Sequence, residues 1–201
     1  PMRLVWLAAL SLLLTACAPL WQAKTTTESP EQKWQQQQQE IASLKDWRFR
    51  GRTAITQGRE GWNAGITWQQ QGDGFDIKLS GPFSQGGAEL MGDAQQVTLT
   101  LDNGEQYSAQ TPEQLLAKTL GWLLPVSALR DWVRGVPYKD AAVDKYQLDE
   151  NGRLKTLEQA GWQVEYLRYV PFNCLVVPAK IFIKHPDLNI RLVIADWSRA
   201  E

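Results

Sequence analysis

From Trp47 to Leu101 apolar and polar residues alternate with a period of two. Phe49, Gly51, Thr53 and Ile55 alternate with Arg48, Arg50 and Arg52, and Trp62, Ala64, Ile66 and Trp68 with Asn63, Gly65 and Thr67. Phe75, Ile77 and Leu79 alternate with Asp76 and Lys78, and Val97, Leu99 and Leu101 with Thr98 and Thr100. Successive side chains of a strand point to opposite faces, so each segment has one apolar face to bury. The pattern predicts half-buried antiparallel strands. Asp102-Asn103-Gly104 reverses the chain into Gln106–Ala109. Asn151-Gly152, between Tyr146–Asp149 and Arg153–Leu157, is the strongest short hairpin signal. Trp162, Val164 and Tyr166, Ile181 with Ile183, and Ile190, Leu192 and Ile194 continue the alternation.

One helix precedes this pattern and a pair of helices interrupts it in mid-chain. Ser29-Pro30-Glu31-Gln32 has the marks of a helix start, a capping serine followed by proline and then glutamine at the third position. That helix is expected to run to about Leu44, with Trp34, Ile41 and Leu44 as apolar contacts and Gln35–Gln39 as a solvated face. In mid-chain, Thr111-Pro112 opens a second helix that Gly121 and Pro125 interrupt, and Val126–Val133 forms a third, closed by Gly135 and Pro137. The layout is a meander, a helical pair and a second meander. A sheet with one apolar face must cover it, and two short helices could lie across it as a lid. A curved sheet closed in this way leaves room for a cavity. Ten tryptophans suit either a packed core or the wall of such a cavity, and composition does not choose.

The N-terminal segment reads differently. After Arg3 an apolar run continues to Leu14, short of the roughly 20 residues that cross a bilayer but suited to a secretory signal. Pro1 ahead of Met2 suggests that the true start lies elsewhere. The run ends in Leu14-Thr15-Ala16-Cys17, which resembles the lipobox of bacterial lipoproteins. That resemblance implies cleavage before Cys17 and lipid on its thiol; the alternative is an ordinary signal with a chance cysteine. The expected organisation is a signal peptide over 1–16, a lipidated flexible tether over 17–29, rich in Thr, Lys, Ser and Pro, and one folded domain over 30–201. With Cys17 lipidated, Cys174 has no partner in the chain and is expected to be a small buried apolar residue.

Chemistry-bearing motifs are scarce. His185 is the only histidine, so no His/Cys metal cluster is expected, and its place in Lys184-His185-Pro186-Asp187 marks a surface turn. No nucleophile elbow and no phosphate-binding loop of the P-loop type is present. No cofactor and no enzymatic activity are expected. A net charge of -1 gives no electrostatic reason for nucleic-acid binding. Ser80–Gly87 is rich in turn residues and reads as a loop carrying Phe83 at its middle. That ring could fold back onto the core or stand out as an apolar contact tip.

The segments Leu79–Asp93 and Leu115–Pro137, above all the Leu-Pro-x-Ser-x-Leu-Arg-x-Trp order at 124–132, resemble the LolB family of outer-membrane lipoprotein receptors. The resemblance runs from about Trp34 to the end and includes the lipobox. It implies a mainly β fold, an open (incomplete) antiparallel β-barrel with a helical lid and an N-terminal helix, the architecture shared with the periplasmic carrier LolA. It implies a lipid-anchored protein of the outer membrane, facing the periplasm, that accepts lipoproteins from LolA and releases their acyl chains into the inner leaflet, without nucleotide hydrolysis. The apolar residue at the tip of the family's protruding loop falls on Phe83, where the family has leucine. Ala18, rather than aspartate, after the lipidated cysteine fits an outer-membrane address. On this reading Trp62, Ile66, Trp68, Phe75, Ile77, Leu79, Val97 and Leu99 are candidates for the acyl-chain wall. Leu115, Leu116, Leu120, Leu129 and Trp132 are candidates for the underside of the lid. The protein is expected to act as a monomer. A lipid-anchored binding module for another apolar ligand, without a hand-over step, and an envelope hydrolase are the competing readings.

Overall fold

The computed structural model describes residues 28–83 and 86–200. The signal segment, Cys17 and nearly all of the tether lie outside the described residues. Helix α1 spans Pro30–Ala42 and begins as the sequence dictates. Ser29 Oγ accepts from the Gln32 amide at 3.3 Å and Gln32 Oε1 from the Ser29 amide at 2.9 Å, so two donors at the helix start satisfy each other's residues. Trp34 and Ile41 are the buried side of the helix, and the glutamine run faces outward or lies along the surface. Gln37 Nε2 donates to the Asn151 carbonyl and Lys33 Nζ to the Glu150 carbonyl, which fastens α1 to the Asn151-Gly152 turn. Gly152 is left-handed (φ 74°), and a Cβ there would stand 2.6 Å from Lys33 Cβ and from the Pro30 carbonyl oxygen. Glycine is therefore required twice over, by the turn and by the helix passing above it.

The strands follow in sequence. β1 (Asp46–Gln57), β2 (Glu60–Gln71), β3 (Gly74–Phe83), β4 (Gly86–Gly92), β5 (Val97–Leu101) and β6 (Gln106–Ala109) form the first meander. α2 (Pro112–Leu120) and α3 (Val126–Trp132) come next. β7 (Val143–Leu148), β8 (Leu154–Gln159), β9 (Trp162–Phe172), β10 (Leu175–Lys184) and β11 (Leu188–Ser198) complete the second meander. All belong to one antiparallel sheet in the order β6-β5-β4-β3-β2-β1-β11-β10-β9-β8-β7. The first and last strands therefore pair at the centre, with Arg48 opposite Ser198 and Gln57 opposite Leu188. The two strands that flank the helices, β6 and β7, are the free edges. The sheet is thus an incomplete barrel, and the chain from 110 to 142 has to travel from one edge to the other.

The central seam is tight. β1 and β11 shift register between Arg50 and Gly51, and a Cβ on Gly51 would lie 2.2 Å from the Val193 carbonyl oxygen. Such an irregularity bends a strand and increases its twist, which helps the sheet curl. The concave face carries the inward members of the alternation. Trp47, Phe49, Trp68 and Trp197 pack ring against ring with centroids 5.3–6.1 Å apart, so several of the tryptophans serve as plain core.

Three expectations need correction. β3 continues through Phe83, and β4 begins at Gly86 and pairs back onto it, Phe83 opposite Gly86, so most of the expected loop is extended hairpin backbone with irregular register after Leu79. Left-handed Gly81 (φ 130°) and Gly86 (φ 133°) accommodate that irregularity, which is why the segment reads as a loop in sequence. Cys174 is exposed rather than buried; it follows Asn173 (φ 53°) in the two-residue turn between β9 and β10, where no core is within reach. α1 ends at Ala42, a little before Leu44, because Ser43 caps it.

Candidate functional site

Between the concave face and the α2–α3 segment lies a cavity of about 80 Å³. Its sheet wall includes Ile55, Ile66, Trp68, Ile77, Leu79 and Leu90, with Leu99, Ile183, Ile190 and Leu192 continuing it. Its roof is Leu116, Leu120, Trp122, Leu124, Val126, Leu129 and Val133. Every one of these residues is apolar, and Thr53 is the single polar lining residue. A void without polar partners does not hold water well. The chemistry it offers is the burial of hydrocarbon, at about 0.8 kcal/mol per CH₂.

Each piece of the roof follows from local sequence. Thr111 caps α2, accepting from the Gln114 amide, Pro112 occupies the first turn, and left-handed Gly121 (φ 68°) stops the helix. Residues 121–125 then run as a short strap without helix. In an extended segment alternate side chains face opposite ways: Trp122 and Leu124 turn into the cavity, and Leu123 between them is 59% exposed. Glu113 Oε1 accepts from the Ser127 amide at 2.7 Å, so a carboxylate of α2 satisfies a free donor at the start of α3.

The roof is pinned unequally. After α3 the Arg134 guanidinium donates to the Ile41 and Leu44 carbonyls at the end of α1, 3.2 and 2.9 Å away, and to the Asp131 carboxylate. Burial pulls Arg134 below its ordinary value, and the neighbouring Asp131 charge opposes that. Gln159 is wholly buried: its Oε1 accepts from Trp132 Nε1 and the Tyr138 amide, and its Nε2 donates to the Tyr138 and Ala141 carbonyls. Tyr166 Oη donates to the Trp132 carbonyl at 2.9 Å, and burial pushes that phenol well above its ordinary value. The strap, by contrast, is held to the sheet by the Gln57 side chain donating to the Gly121 carbonyl at 2.9 Å and by Trp122 against Trp62, centroids 5.2 Å apart.

Of the residues singled out for the wall, Ile66, Trp68, Ile77, Leu79 and Leu99 line the cavity, as do Leu116, Leu120 and Leu129 of those singled out for the lid. The others lie elsewhere. Trp62 stands outside the void as the clamp on Trp122. Phe75 borders a separate polar cleft beside Arg130 and Lys139. Val97 and Leu115 are buried in the surrounding core. Trp132 points toward β8 and β9, bonded to Gln159 and 6.1 Å from Trp162. Lining residues not singled out are chiefly Trp122 and Leu124 of the strap, and Leu90, Ile183, Ile190 and Leu192 across the sheet. Alternation marks Ile183, Ile190 and Leu192 as inward, but only the sheet order brings them under the same roof. Phe83 ends β3 at the tip of the β3–β4 hairpin, and Cys17 is outside the described residues.

Among the described residues no group of three His, Cys, Asp or Glu could hold a metal ion, and no helix is long and apolar enough to cross a membrane. His185 occupies the β10–β11 turn with its ring 4.8 Å from that of Trp162.

A family model described as "Outer membrane lipoprotein LolB" matches residues 45–197. The outer-membrane lipoprotein LolB of Nitrosococcus oceani is 42% identical over 186 residues, covering 92% of this chain and 92% of its own. That of Pseudomonas savastanoi pv. phaseolicola is 40% identical, covering 98% of this chain and 96% of its own. Among solved structures, a LolA superfamily protein from Nitrosomonas europaea aligns over 87% of this chain and 94% of its own, with TM-score 0.54 at 7% identity. A DUF1329 family protein from Desulfovibrio piger aligns over 86% and 94%, with TM-score 0.55 at 6% identity. At such identities these two structures speak to the fold alone.

Proposed function

The chain belongs to the LolB family of outer-membrane lipoproteins, and from that footing we propose that it is a receptor for other lipoproteins. It accepts them from a soluble periplasmic carrier of the LolA type, shelters their acyl chains beneath the α2–α3 segment, and releases them into the inner leaflet of the outer membrane. The observation that carries this reading is the all but wholly apolar cavity between the concave sheet and the roof. Hydrocarbon held in one such site leaves it readily only for another of comparable character, so hand-over needs no bond broken and no nucleotide. The protein works as a monomer, held at the bilayer by lipid on Cys17 and facing the periplasm.

The cavity at about 80 Å³ is smaller than the engineered void of about 150 Å³ that accepts benzene. Entry of an acyl chain therefore requires the roof to move. The strap and α2 are the part that moves, since the chain after α3 is fixed by Arg134, Gln159 and Tyr166. Phe83, at the tip of the hairpin, enters the bilayer at release. Burying its ring yields about 1.5–3 kcal/mol, enough to disturb headgroups beside an already tethered domain and too little to anchor it.

The test is transfer of a lipoprotein from purified carrier to this protein and onward to bilayers, without nucleotide. Phe83→Glu is expected to leave the first step intact and to reduce the second at least tenfold. Failure of the first step would leave a binding module without hand-over; an unchanged second step would remove the role given to Phe83.

A further inference from the structure

The arginine triplet of β1 has a counterpart that only the sheet order reveals. On the convex face of the four neighbouring strands β9, β10, β11 and β1, the outward residues include Arg48, Arg50, Arg52, Arg168, Lys180, Lys184 and Arg191. Against these seven cations stand three carboxylates: Asp196 and Glu165, which pair with Arg50 and Lys184 at 3.6 and 3.3 Å, and Asp46 at the rim. The remaining five cations form no ion pair among the described residues. The chain as a whole carries a net charge of -1, so the excess of four positive charges on this face, seven cations against three carboxylates, is offset by negative charge elsewhere.

The register makes the gathering sharper. One cross-strand row runs Arg52, Val193, Lys180, Arg168, each directly opposite the next. Like charges directly opposite in an antiparallel pair are destabilising, so Lys180 beside Arg168 costs the fold something. The next row places Phe182 beside Arg191, with the Arg191 guanidinium 5.3 Å and Lys180 Nζ 5.7 Å from the ring centroid. Val193 is 40% exposed in the middle of the cations, and Arg48 Nε is enclosed without a partner. A positive surface with apolar residues set among its charges complements a bilayer of anionic phospholipid: headgroup phosphates for the cations, the upper acyl region for Val193.

We propose that this convex face is a docking surface for anionic phospholipid, by which the tethered domain lies against its own membrane with the roof turned away. The family's place as an outer-membrane lipoprotein supplies a bilayer within reach, and the inference is independent of what the cavity holds. Each cation near an anionic surface is worth about a fivefold change in partition. Removing three therefore shifts the orientation equilibrium on the order of a hundredfold, enough to turn a ten-to-one preference into one-to-ten.

The experiment uses the full lipidated protein in bilayers that contain nitroxide-labelled headgroups. With Cys174→Ser as background, a fluorophore is placed by Asn189→Cys on the convex face or by Leu123→Cys on the strap. In bilayers containing phosphatidylglycerol, quenching at 189 is expected to exceed that at 123. The difference should vanish in phosphatidylcholine alone, at about 1 M salt where the screening length is about 3 Å, and in the Arg52→Gln/Lys180→Gln/Arg191→Gln variant. Lys118→Gln/Lys145→Gln/Lys155→Gln removes as much charge elsewhere and should leave it in place; thermal melting verifies that both variants fold. Equal quenching at the two sites, or equal loss in both triple variants, overturns the proposal. So does a convex-face variant that keeps its orientation on the bilayer but loses binding to an acidic protein, which would assign the face to that protein.

Discussion

Replacing Trp62 by alanine should tighten the binding of an acyl ligand. Trp62 lies outside the cavity, and its ring meets Trp122 of the strap at 5.2 Å, so the contact exists only while the strap is down. An aromatic pair of this kind contributes about 0.5–1.5 kcal/mol beyond area burial. At about tenfold per 1.4 kcal/mol, its loss raises the ratio of open to closed roof by about 2- to 13-fold. A closed void of about 80 Å³ admits no acyl chain, so apparent affinity scales with the open fraction. The dissociation constant of a fluorescent fatty-acid analogue should therefore fall by the same factor while the closed form still predominates. Titration of wild type, Trp62→Ala and Ile41→Val checks this. Ile41 is buried in α1, away from the cavity, and its truncation costs about 0.5–1.5 kcal/mol of global stability. If Ile41→Val tightens binding as much, general loosening is the cause. If Trp62→Ala binds no better or more weakly, the strap does not gate the cavity.

Two further outcomes follow from the buried polar groups. Arg134→Met should cost about 3–5 kcal/mol in urea unfolding, because it strands the Asp131 carboxylate among buried neighbours, and Arg134→Met with Asp131→Leu should recover most of the loss; additive losses would refute the pairing. At Asp149 burial pushes the carboxyl up, but the Arg153 and Asn151 amides and the Arg153 guanidinium outweigh that and hold it below the usual range. Its contribution to stability is thus present above the unfolded value of about 3.9 and lost as pH falls through the lower folded value. Asp149→Asn should be less stable than wild type at pH 7 and converge with it in strong acid, and a constant difference across pH would contradict the linkage.

Much of the fold is legible in the chain because its signals are local. The capping box at Ser29, the proline starts of α1 and α2, the glycine stop at Gly121 and the Asn151-Gly152 turn each act within a few residues, and each is where the sequence places it. The inward faces of the strands are legible for the same reason. What is not local is not legible: no periodicity says that β1 pairs with β11, so the sequence could not bring Ile190 and Leu192 under the roof that Leu116 forms. Trp62 and Trp132 carry an identical signal to Trp68, an indole among alternating or helical apolar residues. Only tertiary partners, Trp122 for one and Gln159 for the other, take them away from the cavity. Gly81 and Gly86 read as loop because their backbone freedom is legible and the extended hairpin that uses it is not.

The pairing of the first strand with the last sets a timetable. β1 is made early, yet one of its two neighbours, β11, follows it only after some 130 residues. Joining strands so far apart in sequence is slow, since the ends must find each other before any contact offsets the loss of chain freedom. Until then the greasy side of the early hairpins stays uncovered, and there is no finished pocket to fill with stray lipid. Loss of β11 as a whole, from Leu188 onward, would accordingly leave not a shortened receptor but two half-sheets with no seam between them.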